Sequence, residues 1–168
     1  PWERIGKGSP GVGMATEIGY SVPENSLSFW SDRLKRFKVT ITGRGERLGE
    51  EYLSFEDPDG LPLTLIVPST GDTRKGWETA DVTKAEATNG FHSITLSLSA
   101  IEGTAKVLTE VFGYGLLKQE NNRYRYMTTA VEGASIVDLL EIPGGGRGVN
   151  AGGTIHHVPR RHGKGRQF

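Results

Sequence analysis

Cysteine is absent from this sequence, methionine occurs twice, and neither sign of charge is in excess, with 20 Lys and Arg against 20 Asp and Glu. Without cysteine there is no disulfide framework, no thiolate metal site and no cysteine nucleophile. Such usage suits a cytoplasmic protein, where thiols are kept reduced. Balanced charge supplies no global field to draw nucleic acid or an anionic membrane. No apolar run approaches the roughly 20 residues needed to cross a bilayer. Phosphate loops, nucleophile elbows and zinc-ligand spacings are missing too. What the chain does have is length, 168 residues, enough to bury a core, and 24 glycines gathered in its connections.

The stretch Gly90–Ile142 is the best-patterned part of the chain. In GFHSITLSL, Ile94, Leu96 and Leu98 alternate with Ser93, Thr95 and Ser97, the period of a strand with two chemically different faces. Ser99 with Glu102 makes a capping box that opens a helix on Ile101, Ala105, Leu108 and Phe112, with Gly113 suited to the left-handed end. Three strand stretches follow in YGLLKQENNRYRYMTT and SIVDLLEI, with β-rich runs around Tyr124–Thr128 and Ser135–Ile142 and with Glu120-Asn121-Asn122 and Glu132-Gly133 as turn signals. The order is β-α-β-β-β.

An earlier stretch repeats that order. ATEIGYSV reads as a strand, Asn25 or Ser26 caps a helix with Leu27, Trp30, Leu34 and Phe37 on one stripe, and Val39–Ile41 is β-branched. Glu50–Phe55 and Leu61–Val67 then flank the turn Asp57-Pro58-Asp59-Gly60. Two copies of one topology are an internal repeat. The expected organisation is a linker over 1–13, a first βαβββ module over 14–67, a polar linker over 68–88 and a second βαβββ module over 89–142. A Gly-rich linker over 143–152 then leads to the start of a truncated further module with a basic tail, 153–168. The fold class is α+β, with the two modules pairing into one curved mixed sheet and helices outside. Trp77 reads as a surface anchor of the polar linker. In Arg123-Tyr124-Arg125-Tyr126 the tyrosines read as packed and the arginines as solvated.

The ordered set EIGYSVPENSLSFWSDRL, LSFEDPDGLPLTLI, NGFHSITLSL, ENNRYRYM and GTIHHV resembles the vicinal oxygen chelate superfamily (glyoxalases, bleomycin resistance proteins and dioxygenases). Within it the chain is similar to the glyoxalase-family ring-cleaving dioxygenases of hydroquinones and catechols, nearly throughout up to about Val158. The resemblance implies a mononuclear Fe(II) site, with Mn(II) as an alternative ion, and a small phenolic substrate opened by O2. It also implies four such modules in tandem, of which this chain carries the second, the third and one strand of the fourth. Two histidines and a glutamate hold the metal in that family, from the first and fourth modules. Here the fourth-module ligand would be His157, with His156 beside it supporting the site; the other two would lie outside the chain. Pro159-Arg160-Arg161-His162 departs from the family's apolar strand and helix, and with His157 as a lone ligand the iron is not expected to be retained. His92 and Glu141, at the start of the first strand and the end of the last strand of the second module, form an alternative two-ligand half-site. The competing reading of His92 is a hydrogen-bonded core residue on the Ile94 face.

Two readings therefore stand. The chain is a ring-cleaving dioxygenase or a piece of one, incomplete and inactive alone, or it is a non-catalytic scaffold or small-molecule binding module of the same fold. A glyoxalase-type lyase is a further alternative. No nucleic-acid or membrane partner is expected, and uncovered strand edges could support a homodimer.

Overall fold

The computed structural model describes residues 6–130 and 135–155. The first module contains β1 (Met14–Ser21), α1 (Leu27–Arg36), β2 (Ile41–Arg47), β3 (Glu50–Glu56) and β4 (Pro62–Ile66). The second contains β5 (Gly90–Leu98), α2 (Glu102–Lys106) continued by a π-helical turn (Val107–Val111), β6 (Gly115–Glu120), β7 (Arg123–Met127) and β8 (Ile136–Glu141). All eight strands form one sheet in the order β2-β3-β4-β1-β5-β8-β7-β6. Within each module the first and last strands run parallel, and β1 pairs antiparallel with β5 to join the modules. The sheet curls until its halves meet: Arg125 on β7 hydrogen-bonds Glu50 on β3, and the Leu48 N–H at the β2–β3 tip reaches the Glu120 carboxylate on β6.

Each module buries its apolar face under its own helix. Val22, Leu27, Leu34, Leu53 and Leu65 form the first cluster. Ile101, Leu108, Tyr114, Tyr126, Val137 and Leu139 form the second, with Ile94, Leu96 and Leu98 packed against it. The period-2 pattern of β5 therefore selects its core face as expected. The turn at Asp57–Gly60 also forms, with Asp57 Oδ1 accepting from the Asp59 and Leu61 N–H groups at 2.9 and 2.8 Å.

Local details depart from expectation. Ile101 sits at the start of α2 and no side chain caps that helix, so the Ser99–Glu102 capping box does not form. Ser26 sits at the start of α1, but its hydroxyl donates to the Pro23 carbonyl at 2.7 Å rather than accepting from the helix. The Phe112 N–H bonds to the Val107 carbonyl, five residues back, and this wider turn rotates Phe112 out of the buried stripe to half exposure. Gly113 ends the turn with φ +69°. Trp77 is 83% exposed and anchors nothing; Trp30 Nε1–H instead donates to the Glu86 carbonyl at 2.8 Å, and Val82 and Ala87 are the buried apolar residues of that linker. Segments 6–13 and 143–152 lie side by side through bridges at Lys7–Gly152, Ser9–Val149 and Val12–Arg147.

Candidate functional site

The concave face of the curled sheet is polar, and two irregularities build it. Along β1 and β5, Ala15 pairs with Leu96 but Glu17 with Thr95, leaving Thr16 as an extra residue on β1. Further along, Gly19 pairs with Ser93 and Tyr20 with Phe91, leaving His92 extra on β5. A bulge of this kind leaves one residue unpaired, bends the strand locally and re-aims the side chain there. His92 is thereby turned away from Ile94 and into the concave cup, its Nδ1 3.1 Å from Ser93 Oγ and its Nε2 3.4 Å from Glu50 Oε1. Strict alternation puts it on the opposite face, and the bulge is the reason it is not there.

The cup is filled by an ion-pair network. Arg125, 3% exposed, donates from Nε and Nη2 to the two oxygens of Asp138 at 2.7 and 2.9 Å, and from Nη1 to Glu50. Arg123 Nη1 lies 2.9 Å from Thr95 Oγ1, 3.5 Å from Asp138 and 4.0 Å from Glu17. Arg47 grips Glu17 with both terminal nitrogens, at 2.5 and 3.1 Å, and stacks over Tyr52 at 4.6 Å. These arginines are not solvated, because the face opposite the tyrosines looks at the other half of the same sheet. The tyrosines pack as expected, Tyr126 within the core and Tyr124 against it.

The charges shift accordingly. Burial alone would raise the Glu50 pKa, but the His92 and Arg125 contacts outweigh it and bring the carboxyl down to about 2. Burial works against the Arg125 cation, yet Asp138 and Glu50 push its pKa above the ordinary arginine value. For Arg123, burial and the neighbouring Arg47 charge outweigh Glu17 and Asp138, so its pKa falls. The network has one signal in the sequence: Asp138 is a lone carboxylate inside the apolar run IVDLL, and a buried charge requires a partner.

No protein-family model matches the sequence. Among curated proteins, the provisionally named ring-cleaving dioxygenase MhqO of Bacillus subtilis (strain 168) is 34% identical over 161 residues, 96% of this chain and 50% of that protein. The chlorohydroquinone/hydroquinone 1,2-dioxygenase of Sphingobium indicum is 29% identical over 154 residues, 90% of this chain and 48% of its own length. Among solved structures, a provisionally assigned dioxygenase from Bacillus subtilis superposes with a TM-score of 0.83 at 33% identity, covering 94% of this chain and 49% of that one. The chain belongs to the vicinal oxygen chelate, or glyoxalase-like, superfamily. Glyoxalase I from Zea mays shares the fold with this vicinal oxygen chelate chain, at a TM-score of 0.60 and 18% identity over 87% of this chain and half of that one. The chain spans about half the length of the curated relatives it matches.

Superfamily membership raises the question of a metal. His156, His157 and His162 lie outside the described residues. The structure does not bring His92 and Glu141 together: β5 and β8 run parallel, and the two residues lie at opposite ends of that pair. Glu141 pairs with Leu98, and its backbone carbonyl accepts from the Asn122 side chain at 2.7 Å. A ferrous ion held by two histidines and a carboxylate needs those donors convergent and free. Among the described residues no cluster of three or more His, Asp or Glu is suited to a metal ion. The carboxylates of the cup, Glu17, Glu50 and Asp138, are committed to arginines. The described cup therefore does not fit a ferrous ion held by two histidines and a carboxylate. No described helix is long and apolar enough to cross a membrane.

Proposed function

We propose that this chain is part of a ring-cleaving dioxygenase that opens hydroquinone- or catechol-type rings with O2, and that its paired modules are the non-catalytic half of that enzyme. The observation that carries this is a pairing of two facts. The similarity to ring-cleaving relatives runs along 96% of the chain, while the one cup formed by its described residues is neutralised by Arg47, Arg123 and Arg125. In this reading the ferrous ion binds elsewhere, with His157 as one of its ligands and His156 supporting it. The ion-paired cup holds the two modules in a fixed relation, which the catalytic half needs as a platform.

Anaerobic ferrous titration of the purified chain, followed by oxygen uptake on hydroquinone and catechol, tests the proposal. The expected result is that Glu50→Gln leaves any iron binding unchanged, because Glu50 is not a ligand. Stoichiometric iron that is lost on Glu50→Gln would overturn the platform reading. Oxygen uptake that disappears in His157→Ala would support His157 as a ligand; uptake indifferent to that substitution would remove it.

A further inference from the structure

Beside the ion-pair network lies a pocket of about 430 Å3, inside the size range of small-molecule sites. Glu50, His92 and Arg125 line it together with Phe91, Leu117 and Met127, and Lys118 belongs to its wall. Two features of this pocket are unexplained by the packing. The His92 imidazole is buried, yet its Nε2 makes no hydrogen bond, since the 3.4 Å approach to Glu50 lacks the required geometry. In the tautomer where the Ser93 hydroxyl donates to Nδ1, Nε2 carries the ring proton and lies near Glu50 without a well-formed hydrogen bond. Buried donors of this kind normally have partners.

The second feature is charge. Arg125 and Glu50 neutralise one another, and the Ser69 N–H also donates to Glu50 Oε1 at 3.2 Å, so that carboxylate presents little net repulsion. Asp72 and Arg74 form their own pair, with contacts of 2.5 and 2.9 Å. Lys118 has no carboxylate within ion-pair distance among the described residues. Among the described residues the wall thus carries one cation without a carboxylate partner, one nitrogen without a hydrogen bond, and the exposed apolar side chains Phe91 and Leu117.

We propose that this pocket binds a small organic carboxylate with a flat apolar body, of the benzoate class, one oxygen accepting from His92 Nε2 and the charge met by Lys118. Phe91, Leu117 and Met127 form an apolar part of the wall beside its polar groups, and that part favours a ligand with an apolar body. The proposal is independent of iron and oxygen chemistry, so its outcome and that of the dioxygenase reading are separable.

Calorimetric and NMR titration of the whole chain with sodium benzoate, with benzamide and inorganic phosphate as controls, provides the test. Benzoate is expected to bind saturably, at least about tenfold more tightly than either control, and to move the His92 Nε2 resonance. Lys118→Met, an exposed substitution that leaves the fold intact, should weaken benzoate about tenfold and leave benzamide unchanged. His92→Phe should abolish the preference for benzoate; if that variant fails to fold, the Lys118 result and the Nε2 shift decide. Absence of saturable benzoate binding, equal binding of phosphate, or benzoate affinity indifferent to Lys118→Met would each overturn the proposal.

Discussion

At the scale of single residues, Arg125 shows how much depends on a partner in a buried site. Its guanidinium holds Asp138 with two nitrogens and Glu50 with a third, and Asp138 is 1% exposed. Arg125→Met leaves both carboxylates buried without that cation, and the cost of breaking such a pair is about 3–5 kcal/mol. Urea denaturation should show a loss of that size, and a loss below about 1 kcal/mol would mean the network adds no net stability. Lysine is not a substitute, because a single ammonium cannot meet Asp138 through two parallel bonds. The alternation of Arg123–Tyr126 is legible in the sequence, but its environment is only half legible. Period 2 separates two faces of a strand but does not say which one meets water, and in a curled sheet neither has to. His92 escapes the pattern for a related reason: parity fails beyond a bulge, and nothing in GFHSITLSL marks where the extra residue falls.

At the scale of elements, the seam between β1 and β5 is the joint of the molecule, and Gly19 is its tightest point. A Cβ built there would approach Ser93 Oγ to 2.7 Å and Ile66 Cδ1 to 2.8 Å, with no room on either side. Gly19→Ala is therefore expected to lower stability by about 1–3 kcal/mol through overpacking, read as a fall in the midpoint of thermal unfolding. An unchanged midpoint would mean that the seam can open at little cost. Elements with a strong apolar rhythm, β5 above all, are legible from their residues alone. β6 is not, because all six of its residues are exposed and no burial pattern marks an edge strand of that kind. The helix starts mislead differently: Ser26 and Ser99 are suitable capping types, but the chain enters each helix in a helical conformation, and neither helix is capped by a side chain.

For the whole molecule, the βαβββ repeat is legible in its order of elements, whereas the contents of the cup depend on contacts between residues as far apart in sequence as Glu17 and Arg123. Those contacts also set a pH dependence. Glu50 titrates near 4.5 when free and near 2 in the folded chain, so the unfolded chain binds its proton more readily. The stabilisation is complete above about pH 4.5 and is lost as pH falls towards 2. Asp72, lowered to about 2 against its own burial by Arg74 and Ser21, adds to the same acid limb from its ordinary value of 3.8. Denaturation midpoints measured between pH 5 and pH 2 should fall along this limb, and Glu50→Gln should flatten it. A wild-type profile that is flat across this range would contradict the folded-state ionisation of Glu50.

The network is also divided unequally between its two contributors. The first module brings Glu17, Arg47 and Glu50 to the cup, one negative charge in excess; the second brings Arg123, Arg125 and Asp138, one positive charge in excess. Two copies of the same module placed face to face would each confront a like charge in a largely buried site, whereas the unlike pair cancels. The arginines thus act as a sorting code, by which two halves of similar shape distinguish each other from themselves.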